Sequence, residues 1–254
     1  MLILAYGTIY AWVFTLGACI GSFLNVVIYR LPLNLNIAKG RSFCPRCNHT
    51  LQGRDLVPLV SFVLLRGRCR FCKAKISGRY FLVEALGGIL AVICLKHFWL
   101  TPQAGLAFCV LMILLAITFI DLDIQEIPDS LNLILFLLGI CGIFLFGEVS
   151  LSSRIIGFFE ISLPMLLMNF VIKDSFGGGD IKLCAACGFL LGWQGMLIAA
   201  FIGILTGGIY GVYLLAGRKK GRKDHFAFGP FLALGIGISL LWGQDLWQLY
   251  LGLF

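Results

Sequence analysis

Residues 176–193 read FGGGDIKLCAACGFLLGW: three glycines, an aspartate and a lysine, followed by apolar sequence that runs on to residue 216. A run of that kind belongs in lipid, because a helix needs about 20 apolar residues to cross the hydrocarbon core. The whole chain has only 12 acidic residues in 254, and a carboxylate at membrane depth is costly enough to point to function by default. Outward from that stretch the same composition continues: 60% hydrophobic, 13% charged, mean hydropathy +0.98. Soluble domains are about half apolar and about a quarter charged. The fold expected is all-α and polytopic, with about eight transmembrane helices near 5–29, 81–98, 103–120, 130–147, 154–172, 181–195, 196–216 and 226–253. The GWQG at 192–195 marks a tight turn or a partly re-entrant connection between the sixth and seventh.

The net charge of +8 agrees with that topology and needs no nucleic acid as partner. Eighteen of the 20 basic residues fall in segments that eight helices place on one side: 30–80, the turn around residues 173–182, and RKKGRK at 218–223. The positive-inside rule makes that side cytoplasmic. The first 29 residues carry no Lys or Arg, so the basic n-region of a cleaved signal is missing and the first helix is expected to stay in the membrane.

The long basic loop holds CPRC at 44–47 and CRFC at 69–72. Four thiolates in two CxxC turns suit tetrahedral zinc, and a loop this short has little core of its own, so the metal would supply much of its folding free energy. Disulfides are disfavoured in a reducing cytosol. Cys44, Cys47, Cys69 and Cys72 fill every coordination position, which makes the expected ion structural; His49 is read as an exposed loop residue. Cys19, Cys94, Cys109 and Cys141 sit singly in apolar stretches, and Cys184 and Cys187 form a third CxxC within one. There cysteine acts as a small hydrophobe.

The acid-rich segment DLDIQEIPD, residues 121–129, ends the third helix and faces the same side as Asp180. Two carboxylates at neighbouring helix ends can share one water. They cannot both ionise cheaply, so one holds a proton while the other activates the water for attack on a carbonyl. Gly177–Gly179 would let a substrate strand come close to such a pair. The residues alone do not choose among Asp121, Asp123 and Asp129. They also leave open a Mg²⁺-dependent intramembrane lipid-diphosphate transferase that uses the acid-rich segment, and a membrane scaffold that docks partners through its cysteine loop.

Five motifs in order, GSFLNVVIYRLP, CPRC…CRFC, DLDIQEIPD, GGGDIKLCAACGFLLGW and FGPFLALG, cover Gly21 to Gly235. The chain thereby resembles the bacterial type IV prepilin peptidases. That resemblance implies an inner-membrane aspartic protease of the GxGD type that cuts the leader from prepilins or pseudopilins at the cytoplasmic face. It implies catalytic roles for Asp121 and Asp180, zinc on the cysteine quartet, and N-methylation of the new terminus from S-adenosylmethionine. No GxGxxG follows a strand, so the residues that hold the methyl donor are not legible. The organisation expected is a first helix (1–29), a cytoplasmic zinc-binding loop associated with methyl transfer (30–80) and a multi-helix peptidase domain (81–254), with membrane lipid as surroundings.

Overall fold

The computed structural model describes residues 2–172, 175–216 and 227–253. The basic run at 218–223 and Lys173 lie outside them. Helices α1 (Leu2–Arg30), α2 (Val60–Leu64), α3 (Gly78–Phe98), α4 (Pro102–Ile124), α5 (Asp129–Leu145), α6 (Leu151–Glu160), α7 (Ser162–Val171), α8 (Gly178–Ala216) and α9 (Gly229–Leu251) follow in chain order, with one 3₁₀ turn at Gly53–Asp55. Each of the eight expected apolar stretches is helical. Length and apolarity among the described residues mark five crossings: Tyr6–Arg30, Gly78–Phe98, Pro102–Ile124, Leu151–Val171 and Gly178–Leu214. Three of the eight are not counted separately. The expected sixth and seventh run on as one, α5 has only 17 residues, and α9 carries Gln244, Asp245 and Gln248 in its second half. Inside α8 the backbone leaves helical geometry at Gly192, with φ 74° and ψ 175°, a conformation that glycine reaches without strain. The break falls on the expected turn.

The chain divides into two units, Met1–Ala104 and Gly105–Phe254. In the first, α1 packs on α3 through facing glycines. A Cβ on Gly21 would lie 2.8 Å from the Val83 carbonyl oxygen, and one on Gly87 would lie 2.6 Å from that of Gly17. Backbones this close are how helices gain dispersion energy where lipid removes any hydrophobic drive. Arg30, at the C-terminal end of α1, folds the next loop back by donating to the carbonyls of Asn36, Ile37, Lys39, Gly40 and Arg41.

In the second unit α8 packs against α5, α6 and α9. Arg154 of α6 is fully buried. It donates to the carbonyls of Val149, Gly142, Phe146, Phe189 and Leu190. A guanidinium has five N–H groups and no acceptor, so carbonyls alone satisfy it, and it ties the end of α5 to α8 just before the Gly192 break.

Candidate active site

Asp121 lies in the last turn of α4 and is 5% exposed. Asp123, Glu126 and Asp129, its neighbours in the acid-rich segment, are exposed. The choice the sequence left open is thus separated by geometry: only Asp121 points inward. Its Oδ2 accepts from the backbone N–H of Gly229 at 2.9 Å, the first residue of α9. The carboxylate therefore sits where a helix offers unpaired N–H groups and a positive dipole end. Pro230 follows with a fixed φ suited to a first helical turn.

Asp180 occupies the first turn of α8. Its Oδ1 is buried without a hydrogen-bond partner. Ile127 stands between the two helix ends. A Cβ built on Gly179 would lie 2.8 Å from Ile127 Cβ, and one on Gly229 would lie 3.3 Å from Ile127 Cδ1. Gly179 is required because the start of α8 closes on this side chain, and the start of α9 reaches the same side chain through Gly229. A Cβ on Gly177 would also come within 3.1 Å of Asp180 Oδ2.

Three supporting residues escaped the sequence reading. Asn169 holds the segment before the glycines: its Oδ1 accepts from Ser175 Oγ and the Phe176 N–H, and its Nδ2 donates to the Phe176 carbonyl. Asn132 of α5, 5% exposed, donates to the Gly179 carbonyl at 3.2 Å, and its own Oδ1 is a second buried oxygen without a donor. Two such oxygens beside one helix start call for a hydrogen supplied from outside the chain, by water or by a peptide N–H. The third is Gly229, whose motif was visible and whose contact was not. Lys182 does not pair with Asp180; it forms an exposed ion pair with Asp129 at 2.7 Å, joining α8 to α5.

The cysteine loop folds as two matching knuckles. Cys44 N–H donates to the His49 carbonyl and Asn48 N–H to that of Cys44; Cys69 and Lys73 repeat the pattern with Ala74 and Cys69. Asn48 and Lys73 take equivalent left-handed positions, φ 54° and 57°. The four sulfurs lie within 4.8 Å of one another, with Cys44 and Cys72 Sγ 3.9 Å apart. Zn–S bonds of about 2.3 Å in a tetrahedron put sulfurs about 3.8 Å apart, so the quartet fits zinc and is far too open for disulfides. Burial pushes the Cys44 thiol up, but backbone N–H groups of Cys47 and Arg46 outweigh it and hold the thiol at about 7, while Cys47 beside it is pushed up to about 11. One thiolate of this pair therefore forms near neutral pH, and the other would form on metal binding. The His49 ring stacks on Phe71, and the ligand set is complete without it. Among the described residues this quartet is the cluster able to hold a metal ion. The exposed acids of residues 123–129 supply no such site, and the lipid-diphosphate reading loses its support.

Two inward carboxylates near the starts of α8 and α9, in an all-helical membrane protein whose four clustered cysteines could hold a metal ion, fit a membrane-embedded hydrolase with an appended metal-binding module. The comparisons with known proteins place it more narrowly. Residues 15–98 match the bacterial peptidase A24 N-terminal domain, and residues 106–212 match the type IV leader peptidase family. The prepilin leader peptidase/N-methyltransferase of Aeromonas salmonicida is 37% identical over 274 residues, spanning 95% of this chain and 94% of the relative. The proteins of that name from Pseudomonas aeruginosa and Stutzerimonas stutzeri are 35% and 34% identical, each over 93% of this chain and 91% of the relative. No solved structure matches the chain. The chain belongs to the type IV leader peptidase family.

Proposed function

We propose that this protein removes the leader of type IV prepilins or pseudopilins with Asp121 and Asp180 as the catalytic pair, then N-methylates the terminus it exposes. The observation that carries the first half is the meeting of two helix starts, α8 and α9, around two inward carboxylates of opposite histories. Asp121 is engaged by the Gly229 N–H, whereas Asp180 keeps a buried oxygen unpartnered. We place the site at the cytoplasmic face of a bacterial inner membrane, where the basic loop 30–80 would sit.

In the chemistry that follows, one carboxylate is ionised and takes a proton from a water held between the pair. That water attacks the scissile carbonyl. The other carboxyl, protonated, donates to the carbonyl oxygen and then to the leaving amine. The orphaned oxygens of Asn132 and Asp180 are suited to hold the water or a backbone N–H of the substrate strand. Gly177–Gly179 present no side chain to that strand.

For the second half, S-adenosylmethionine would supply an electrophilic methyl group on a sulfonium. Neither aspartate is needed for that transfer, and the zinc on Cys44, Cys47, Cys69 and Cys72 would be structural.

The reading is tested by incubating membranes with a prepilin and S-adenosylmethionine and weighing the mature N-terminus. A shortened, singly methylated product is expected; an intact prepilin refutes the peptidase assignment, and a shortened unmethylated one refutes the methyl transfer alone. A second result is expected at Gly229→Ala. The new Cβ would stand 2.7 Å from Asp121 Oδ2, closer than real atoms approach, and would push the carboxylate off its N–H. Misplacement of about 1 Å costs about a hundredfold in rate, which a cleavage time course reads directly.

A further inference from the structure

The first unit contains a cleft of about 700 Å³ that the peptidase chemistry does not use. Its walls come from α1, the cysteine knuckles, α2 and the start of α3. The motif GSFLNVVIYR acquires a purpose here. Ser22, Asn25, Val26, Tyr29 and Arg30 all line the cleft, and their spacing of three and four residues is one stripe of a helix. Cys44 and Cys69, the two buried members of the quartet, form part of another wall. Every lining residue belongs to Met1–Ala104, whereas Asp121 and Asp180 belong to the other unit.

We infer that this cleft is the S-adenosylmethionine site, with Tyr29, Phe62, Tyr80, Asn25, Glu84 and Asp55 as its recognition groups. The inference rests on the methyltransferase reading above and gives it an address. Small-molecule sites run at about 300–1,000 Å³ with mostly apolar walls and a few placed polar groups. The donor is a discrete molecule of that size with three distinct demands. Its adenine needs flat apolar surface, its sulfonium needs a negative aromatic face or an oxygen, and its ribose diol needs a carboxylate acceptor. Tyr29, Phe62 and Tyr80 supply aromatic faces, which attract onium cations. Glu84 and Asp55 supply the carboxylates.

Both carboxylates are pre-oriented by the fold. Glu84 Oε2 accepts from the Leu59 N–H at 2.7 Å. Asp55, whose side chain is 3% exposed, is held by Arg70 at 2.6 Å. Burial pushes the Asp55 carboxyl up, but the Arg70 hydrogen bond and charge outweigh it and leave its pKa below the ordinary value, so it is ionised at neutral pH. A carboxylate has about four acceptor sites, so each retains capacity for a ligand hydroxyl. Asn25 is fixed through its Nδ2 on the Tyr80 carbonyl at 3.1 Å. The transfer balances without any further reagent. The new terminal amine, having lost its ammonium proton to water, forms an N–C bond as the C–S bond breaks; the pair of that bond stays on sulfur, and the surplus proton on nitrogen leaves to water.

The test uses the full zinc-loaded chain in detergent. Binding of S-adenosylhomocysteine is measured by calorimetry, and radiolabelled S-adenosylmethionine is photo-crosslinked and its attachment mapped. Wild type is expected to bind, with label confined to peptides from 22–84. Ser61→Phe, which fills the cleft from α2, is expected to abolish binding and the methyl mass. Glu84→Gln keeps an acceptor for the Leu59 N–H and removes the charge, and is expected to weaken binding about tenfold. Bound zinc is followed in both variants, and if Ser61→Phe loses its metal, Glu84→Gln decides. Label in 105–254, wild-type affinity in the deciding variant, or loss of methylation with donor binding intact (the mark of a cleft that seats the acceptor peptide) would each overturn the assignment. A wild type that never methylates would instead refute the activity itself, and one that methylates with the cleft filled would refute only its location.

Discussion

Asp121→Asn or Asp180→Asn stops leader removal, with a loss of about a thousandfold or more, while each variant accumulates as a folded membrane protein. The size follows from the chemistry. An amide cannot take the proton of the attacking water, and groups that act as a unit lose nearly everything when either is removed. Fold is spared because asparagine is isosteric: at position 121 its Oδ1 can still accept from the Gly229 N–H. The measurement is cleavage of a prepilin by membranes carrying each variant, with a peptide already lacking its leader as the methylation substrate. That second substrate is expected to be methylated by both variants. Cleavage by either at the wild-type rate would end the case for an aspartate pair. A scaffold without enzyme activity would show no effect in either assay.

Stripping the metal, or replacing Cys44 or Cys69 with serine, is expected to act on the other half. Structural zinc contributes about 10–16 kcal/mol in small cysteine modules, more than the marginal stability of most domains. The described loop has two isolated bridges, one 3₁₀ turn and one five-residue helix as its regular structure, and so little else to hold it. Without metal the wall formed by Cys44 and Cys69 is lost, and methylation falls far more steeply than leader removal. Limited proteolysis should then cut within 42–77, where the zinc-loaded protein resists. Equal loss of both activities on chelation would show that the metal serves the peptidase as well.

The broad fold was legible because lipid imposes strong composition rules. Every apolar stretch read from the sequence is helical, and even the interruption near Gly192 was signalled by GWQG. Less legible was the acid-rich segment, since one-dimensional spacing treats Asp121, Asp123 and Asp129 alike. The difference among them arises when α9 brings the Gly229 N–H to one carboxylate only, a contact 108 residues distant in sequence. The resemblance to prepilin peptidases made that choice before physics could. Asn169 and Asn132 were missed for a related reason: apart from the Ser175 hydroxyl on Asn169, their hydrogen bonds go to backbone atoms, which leave no complementary residue type to notice. The cysteine quartet lies at the other extreme, because its spacing alone nearly specifies the two knuckles. The partner of Lys182 was not legible either, because Asp129 lies 53 residues away along the chain.

Arg154 bears on how such a protein enters the bilayer. It lies in the first turn of the span Leu151–Val171, and a charged side chain within a membrane span carries a cost unless it is paired or bonded to backbone carbonyls. Here the partners that offset it are carbonyls synthesised at different times: Gly142 and Phe146 are made first, Phe189 and Leu190 some 35 residues after the arginine itself. Before α8 is made, the Arg154 guanidinium has only the carbonyls of α5 and of the turn before α6 as acceptors. Final docking of α6 is therefore expected to await Phe189 and Leu190, one cation setting the order in which the second unit closes.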